Sequence, residues 1–209
     1  MASHSAICGN ILRAWPTRST SSVSKNGPGL DNPQETSREG SSETIRRASS
    51  EELAVAMELN PDWVVGFVDG EGCFFVGVQR NPTVKIGYQV IPEFRVVQHA
   101  RDLDVLHALK RFFGFGRVCR NHDERFEFRV RRLEHLREVA RFFCEHALKT
   151  KKRVDASKFA DVLRIMEDGR HLTESGLEEI VKLAASMNTG NRPRLAVFEK
   201  GMKIESSPV

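Results

Sequence analysis

The sequence predicts an α+β fold in which one antiparallel sheet of four strands carries helices on a single face. Two observations support this prediction. Helical periodicity and strand alternation follow each other in the order helix, two strands, helix, two strands and three helices, and this order occurs once in 209 residues. In the last predicted strand, at 125–131, charged and apolar residues alternate, which indicates one solvated face and one core face. The solvated face would be open to a binding partner.

Composition excludes several classes of protein. A hydrophobic share of 40% suits a globular chain, and no stretch approaches the roughly 18 uninterrupted apolar residues of a membrane span. The four cysteines form no close Cys-x-x-Cys pair, so neither a disulfide-stapled secreted protein nor a zinc ribbon is indicated. We therefore expect a reduced intracellular protein in a bacterial cytoplasm or an organelle, neither secreted nor embedded in a membrane.

The chain divides into three parts by composition. Residues 1–50 are rich in Ser, contain few apolar side chains and predict a disordered low-complexity leader. The first part of this leader combines basic side chains and serines without an acid, which is also typical of an organellar transit peptide. Residues 51–189 form the predicted compact domain, and residues 190–209 predict a flexible tail.

The predicted elements begin and end at ordinary boundary signals. Asn60 and Pro61 predict the start of the first helix, as its N-cap and its first helical residue. Gly114 predicts the end of the second helix. A capping box of Ser175 and Glu178 predicts the start of the last helix. The predicted strands cover residues 73–79, 88–97, 116–120 and 125–131.

Charge is distributed unevenly along the predicted domain. Residues 51–79 hold six acidic side chains and no Lys or Arg, a net charge of −6. Residues 80–158 hold 19 Lys plus Arg against 10 Asp plus Glu, a net charge of +9. A basic region beside an acidic patch predicts a polyanionic partner, with acids that do something other than contact phosphate. An unevenly charged solvated surface would show the same balance.

The acidic patch contains an unusual helix end. Asp69 and Glu71 lie at the C-terminal end of the first predicted helix, where the helix dipole disfavours negative charge. Gly66 and Gly70 share one helical face, and each costs about 1 kcal/mol of helix propensity relative to Ala. Close packing against a second helix would offset that cost. The alternative is a buried helix that ends in a glycine-rich turn.

The segment from Val64 to Gly72 resembles the signature of the LAGLIDADG homing endonucleases, with Gly66, Asp69 and Gly72 in the signature places. The order of elements also resembles that of family members with one signature per chain, and the resemblance covers about residues 59–189. It implies a site-specific endonuclease domain whose sheet forms a DNA-binding saddle. Such an enzyme makes a double-strand break in a long pseudo-palindromic DNA target by Mg²⁺-dependent hydrolysis, which promotes mobility of its host intron.

The resemblance also implies roles for individual residues. Glu71 matches the acid that binds the metal ions, although most members have Asp there, which is one methylene shorter. Gln98 matches a polar residue that orients water. Lys152 best matches a lysine near the scissile phosphate. Lys151 takes that role if the turn aligns with the family pattern one residue earlier. These types suit the chemistry, because Mg²⁺ prefers hard oxygen ligands and a lysine stabilises developing charge.

Family members with one signature cut both strands as homodimers, so the resemblance implies that two copies of this chain pair through their signature helices. The implied interface consists of Val65, Gly66, Asp69 and Gly70. The implied DNA-binding side chains follow the strands and would enter the major groove. They are Gln79, Asn81, Gln89, Glu93, Arg95, Arg117, Asn121, Arg125, Glu127 and Arg129.

Three alternatives lack site-specific cleavage. A group I intron RNA maturase on the same fold would bind its own intron RNA, and a non-cleaving regulator would bind DNA. Glu71, Gln98 and Lys152 together favour the endonuclease, although a maturase can keep them. The third alternative is an unrelated α+β module in which the signature is a coincidence. A cleavage assay separates the endonuclease from all three.

Overall fold

The computed structural model describes residues 57–188, so the predicted leader 1–50 and the predicted tail 190–209 lie outside the described residues. Five α-helices and four strands in this range follow the predicted order. The helices are α1 Pro61–Glu71, α2 Leu103–Phe113, α3 Leu133–Glu145, α4 Lys152–Glu167 and α5 Glu174–Ala185. The strands are β1 Gly72–Arg80, β2 Tyr88–His99, β3 Arg117–Arg120 and β4 Arg125–Val130. Ala100–Asp102 and Arg170–Leu172 form short 3₁₀ helices.

The four strands form one antiparallel sheet in the order β1-β2-β4-β3. Alternate residues of the strands face the helices. Phe74, Phe94 and Phe128 share this side and are at most 1% exposed. Phe74 meets Phe143 of α3 edge to face, with ring centroids 5.6 Å apart, as expected of a packed aromatic core. The predicted α+β class with a four-stranded antiparallel sheet is confirmed.

The signature helix α1 is defined at both ends by its sequence. The side chain of Asn60 accepts a hydrogen bond from the backbone N–H of Trp63 at 2.8 Å, and Pro61 is the first helical residue, as predicted. At the other end, a Cβ at Gly72 would lie 2.5 Å from the Val68 side chain. Only glycine therefore allows β1 to start directly at the end of α1.

The start of α5 differs from the sequence prediction. The N-cap is Thr173, whose hydroxyl accepts a hydrogen bond from the backbone N–H of Gly176 at 3.2 Å, so the capping box of Ser175 and Glu178 is wrong. Packing decides this boundary. A Cβ at Gly176 would lie 2.1 Å from the carbonyl oxygen of Arg170, which shows how closely the preceding 3₁₀ helix packs on the first turn of α5.

The helices of the described range differ from membrane-spanning helices. None of those between residues 57 and 188 combines the length and the hydropathy that crossing a bilayer requires.

Candidate functional site

The C-terminal end of α1 carries an exposed carboxylate. Glu71 is the last residue of the helix, and β1 begins at the next residue. The helix dipole disfavours a negative charge at this end, so Glu71 does not serve the stability of α1. Its placement suits a ligand for a cation.

The carboxylate of Asp69 is bound within the same chain. The backbone amides of Lys149 and Thr150 donate to it at 2.7 and 3.2 Å, and the Thr150 hydroxyl donates at 2.7 Å. Partial burial opposes ionisation, but these hydrogen bonds and the charge of Lys152 outweigh it and lower the pKa of Asp69 from 3.8. Asp69 therefore anchors the loop between α3 and α4 to the signature helix.

This anchoring brings a lysine to the end of α1. Lys152 is the first residue of α4, and its backbone N–H donates to the Thr150 hydroxyl at 3.2 Å. Its ammonium group donates to the carbonyl oxygen of Gly70 at 3.1 Å, which places a positive charge beside the residue that precedes Glu71. Lys151 lies before the helix and is exposed. The geometry favours Lys152 as the lysine of this site.

Gln98 reaches the same end of the molecule through the sheet register. Gly72, the first residue of β1, pairs with Val96 on β2. Gln98 lies two residues beyond that pair, on the side from which α1 enters the sheet, and it is half-buried. We call the end of α1 at Asp69–Glu71, with Gln98 and Lys152, the helix-end site.

One face of α1 is open to solvent. Outside the helix's own backbone, a Cβ added to Gly66 or Gly70 would meet no heavy atom within 4 Å. Trp63 is 39% exposed and stacks on Phe67, with ring centroids 4.8 Å apart. Val65 differs, because it is only 6% exposed and belongs to the core of its own chain. Of these residues, the glycines and Trp63 are accessible to a partner, and Val65 is not.

The face of the sheet opposite the helices, which we call the open face, carries more basic than acidic side chains. Asn81 and Asn121 follow the ends of β1 and β3, and the Asn81 amide donates to the Gln89 side chain at 3.1 Å. The other eight side chains implied for DNA binding lie on the open face itself by register. They are Gln79, Gln89, Glu93, Arg95, Arg117, Arg125, Glu127 and Arg129.

Three arginines form a row across the open face. Arg95 on β2 is opposite Arg129 on β4, which is opposite Arg117 on β3. Like charges opposite each other on neighbouring strands are destabilising, so the row needs compensation. Glu93 and Glu127 provide negative charge on the two sides of the row, two residues from Arg95 and from Arg129 respectively.

Both glutamates are covered by arginines. Glu93 and Glu127 are only 5% and 4% exposed, so little of either side chain is available to a ligand. Glu93 accepts a hydrogen bond from Arg131 at 2.6 Å, and Glu127 pairs with Arg129 at 3.0 Å. Arg131 was not among the predicted DNA-binding residues. The alternation of charged and apolar residues at 125–131 nevertheless predicts that its side chain faces the same side of the sheet as the other charged residues of this segment.

Known proteins are similar to this chain in sequence and in fold. The sequence model described as LAGLIDADG endonuclease matches residues 64–163. The crystal structure of a homing endonuclease, I-TnaI, is 57% identical with a TM-score of 0.68, covering 70% of this chain and 99% of that chain. The chain belongs to the LAGLIDADG endonuclease family.

Two other similar proteins are longer than this chain. I-SmaMI, whose structure was solved bound to an uncleaved DNA target in the presence of calcium ions, is 40% identical with a TM-score of 0.65, covering 68% of this chain and 50% of that chain. The probable intron-encoded endonuclease 2 of Neurospora crassa is 32% identical over 157 residues, which are 74% of this chain and 35% of that protein. The chain spans about a third of that curated relative and half of I-SmaMI.

One copy of this chain supplies few metal ligands at the helix-end site. Between residues 57 and 188, no three His, Cys, Asp or Glu side chains come together as a group that could hold a metal ion. Asp69 is occupied by the loop between α3 and α4, which leaves Glu71 as the exposed acid at the end of α1. Its carboxylate is a hard oxygen ligand of the kind that Mg²⁺ prefers.

Proposed function

We propose that this chain is a site-specific homing endonuclease, which as a homodimer makes a double-strand break in a long pseudo-palindromic DNA target by Mg²⁺-dependent phosphodiester hydrolysis. One observation carries the proposal. The helix-end site holds an exposed acid, Glu71, next to a lysine fixed on the preceding carbonyl group, and a basic sheet face lies in the same domain. Carboxylate, ammonium group and basic surface together suit hydrolysis of a nucleic-acid backbone.

The proposal of a dimer rests on the number of carboxylates at the helix-end site. One chain brings a single available carboxylate to the helix-end site, whereas two copies paired along α1 would bring two. Gly66 and Gly70 leave room for the backbone of another helix, and Trp63 offers apolar surface beside them. The match of one copy to half of I-SmaMI also supports a two-copy enzyme. In the proposed interface, Asp69 acts indirectly, by fixing the loop on its own chain.

The residues present fit Mg²⁺ when two copies contribute. Glu71 of each chain would hold the metal, which when bound neutralises charge on the non-bridging and leaving oxygens of the phosphodiester. Lys152, held by the Gly70 carbonyl group, would present its ammonium group to the scissile phosphate and stabilise the charge that develops there. Gln98 would orient the attacking water through its side-chain amide.

The open face would contact the DNA. Alternate side chains of a strand point to the same side, and a two-stranded ribbon fits the major groove, where base edges differ in their hydrogen-bonding groups. Arginines on β2, β3 and β4 would contact guanines and phosphates. Gln79, Asn81 and Gln89 form a neutral cluster at the far end of β1 and β2, which suits contacts to bases nearer the ends of the target.

The biological setting is proposed from the relatives. Neurospora crassa has two such relatives named probable intron-encoded endonucleases, and a 28% identical protein from Podospora anserina is described as lying in ND4 intron 1. We propose that cleavage by this chain promotes mobility of a host intron, and that the protein acts inside the cell, in an organelle.

Cleavage mapping tests the proposed function. The full chain is incubated with Mg²⁺ and a plasmid library of randomised duplex sites, and new DNA ends are sequenced. We expect double-strand breaks within one family of pseudo-palindromic sites. Glu71→Gln serves as the matched variant, because it keeps the size of the side chain and removes its charge.

Other outcomes would redirect the assignment. If wild type leaves the library intact and stimulates splicing of a group I intron, the chain is a maturase. If it binds duplex DNA selectively without cutting in Mg²⁺ or in other divalent cations, it is a DNA-binding protein on the same fold. Each result would overturn the proposed endonuclease activity.

A further inference from the structure

The two buried glutamates of the open face have no part in the proposed cleavage chemistry. By register, Glu93 and Glu127 point to the side opposite the helices, yet they are only 5% and 4% exposed. A buried carboxylate persists when charged partners and hydrogen bonds compensate its lost hydration. Two of the partners here, Arg95 and Arg129, are arginines that the proposed function assigns to DNA.

Glu93 holds two arginines. Arg131 donates to it through Nε at 2.6 Å and makes a second contact through its guanidinium group. Arg95 lies 4.0 Å from the other carboxylate oxygen, and its guanidinium group also lies over the ring of Phe75, 5.0 Å from the centroid. A carboxylate and an aromatic ring therefore both attract the guanidinium group of Arg95, which favours this orientation of the side chain.

Glu127 acts in the same way on the other side of the arginine row. It pairs with Arg129 at 3.0 Å, and the Cys119 thiol donates to it at 3.7 Å from the neighbouring strand. Arg129 is the central arginine of the row, between Arg95 and Arg117. The two carboxylates thus hold guanidinium groups on both sides of a run of like charges that would otherwise repel each other.

We propose that Glu93 and Glu127 are positioning residues for sequence recognition, which fix Arg95, Arg129 and Arg131 in preset orientations and limit their attraction to any phosphate. This inference rests on the proposed DNA-binding function and revises the expectation that the two glutamates contact DNA themselves. Reading a guanine requires the two N–H groups of an arginine to face O6 and N7 together, so orientation decides it. Attraction to phosphate requires charge alone, and a carboxylate beside the arginine weakens it.

The test compares Glu93→Gln and Glu127→Gln with wild type in the full chain. Glutamine keeps the shape of the side chain and removes its charge. Glu178→Gln is the matched control, because Glu178 is an exposed glutamate that pairs with Lys182 within α5, one of the helices on the other side of the sheet. Two probes are used: a random-sequence duplex, and sites that wild type selects by binding from a randomised duplex library.

We expect both open-face variants to bind the random duplex more tightly than wild type. The slope of log affinity against log salt should become steeper by about 0.9, because about one additional positive charge becomes available to phosphate. Base preference within the selected sites should weaken at the positions nearest the altered arginine. Glu178→Gln should match wild type in all three quantities.

Two further comparisons separate positioning from simple structural support. Glu93→Asp and Glu127→Asp keep the charge, so they should restore the wild-type salt slope. In an Arg131→Gln background, Glu93→Gln should lose most of its effect on the slope, since the arginine through which it acts is absent. Thermal unfolding identifies any variant that does not fold, and the aspartate variants then carry the comparison.

Two results would overturn the proposal. In the first, the glutamine variants leave random-duplex affinity and salt slope unchanged. In the second, they lose preference at one base pair while random-duplex affinity stays the same, which is the behaviour of a direct base contact. These binding measurements do not depend on cleavage, so an inactive wild type would count against the proposed function and not against this inference.

Discussion

The helix-end site and the open face are built on different principles. At the helix-end site, Glu71 stands exposed beside Lys152, and within residues 57–188 no further ligating side chains complete a metal cluster. On the open face, Glu93 and Glu127 already have arginine partners from the same chain. Under the proposed function, a second copy completes the first region, whereas the carboxylates of the second region already have their partners within one copy. Changes in the two regions should consequently have separable effects on cutting and on binding.

The largest expected effect on cleavage comes from Glu71, which lies at the end of α1 and not on the open face. Glu71→Gln removes the proposed metal ligand while keeping the shape of the helix end, so cleavage of the selected site should become undetectable. Binding measured by gel shift should stay within about twofold of wild type, because phosphate and base contacts lie elsewhere. Glu145→Gln, an exposed acid at the end of α3, is the control and should cut normally. Normal cutting by Glu71→Gln would remove this residue from the mechanism.

The next largest effect distinguishes two neighbouring lysines. Lys152→Met should slow cleavage by about 100-fold, since one preorganised charge contact to a developing anion is lost. Lys151→Met should slow it far less, because Lys151 is exposed before the start of α4. Single-turnover rates at saturating enzyme measure both. The reverse order would transfer the role to Lys151, and equal rates would contradict the assignment of this role to Lys152 alone.

A third change tests the proposed pairing of two copies along α1, on which the proposed cleavage site depends. At Gly66, a Cβ would meet nothing of its own chain within 4 Å, so Gly66→Trp should disturb one chain little, but it fills the space proposed for the partner helix. Overpacking of this kind costs about 1–3 kcal/mol, so dimer affinity should fall by about tenfold to a hundredfold. Sedimentation of Gly66→Trp is compared with that of Glu178→Trp, an equally bulky change on the exposed side of α5. An unaltered dimer in Gly66→Trp would place the interface elsewhere.

The smallest expected effect concerns the loop that carries Lys152. Asp69→Asn weakens hydrogen bonds to a charged acceptor and should lower the free energy of unfolding at neutral pH by about 1–2 kcal/mol. Because the pKa of Asp69 lies below 3.8 in the folded state, its ionised form stabilises the fold above that pH. The stabilisation is lost as pH falls through the folded pKa.

Urea unfolding across pH 2 to 7 measures this contribution of Asp69. The difference between wild type and Asp69→Asn should be constant above about pH 5 and should shrink below pH 3.8. Asp168→Asn, at the exposed C-terminal end of α4, serves as the control. A difference that is independent of pH would show that the carboxylate charge of Asp69 does not anchor the loop.

The helix-end site was more predictable from sequence than the open face, for a physical reason. Asn60, Pro61 and Gly72 act locally, so the boundaries and the exposed acid of α1 could be predicted from a short segment. The partners of Asp69 lie some eighty residues away, and Arg131 lies thirty-eight residues from Glu93, so these contacts depend on how folding brings distant segments together. Alternation predicts which side of a sheet a residue faces, but it does not predict that arginines will cover a glutamate there.

Subunit mixing tests the central claim, that the cleavage site is completed by two copies. Wild type and Glu71→Gln chains are co-expressed in varied proportions, and double-strand cleavage of the selected site is measured at constant total protein. Random pairing makes the fraction of wild-type dimers the square of the wild-type fraction. We predict that double-strand cleavage falls with that square. A decline in direct proportion to the wild-type fraction would show that one chain suffices and would contradict the account.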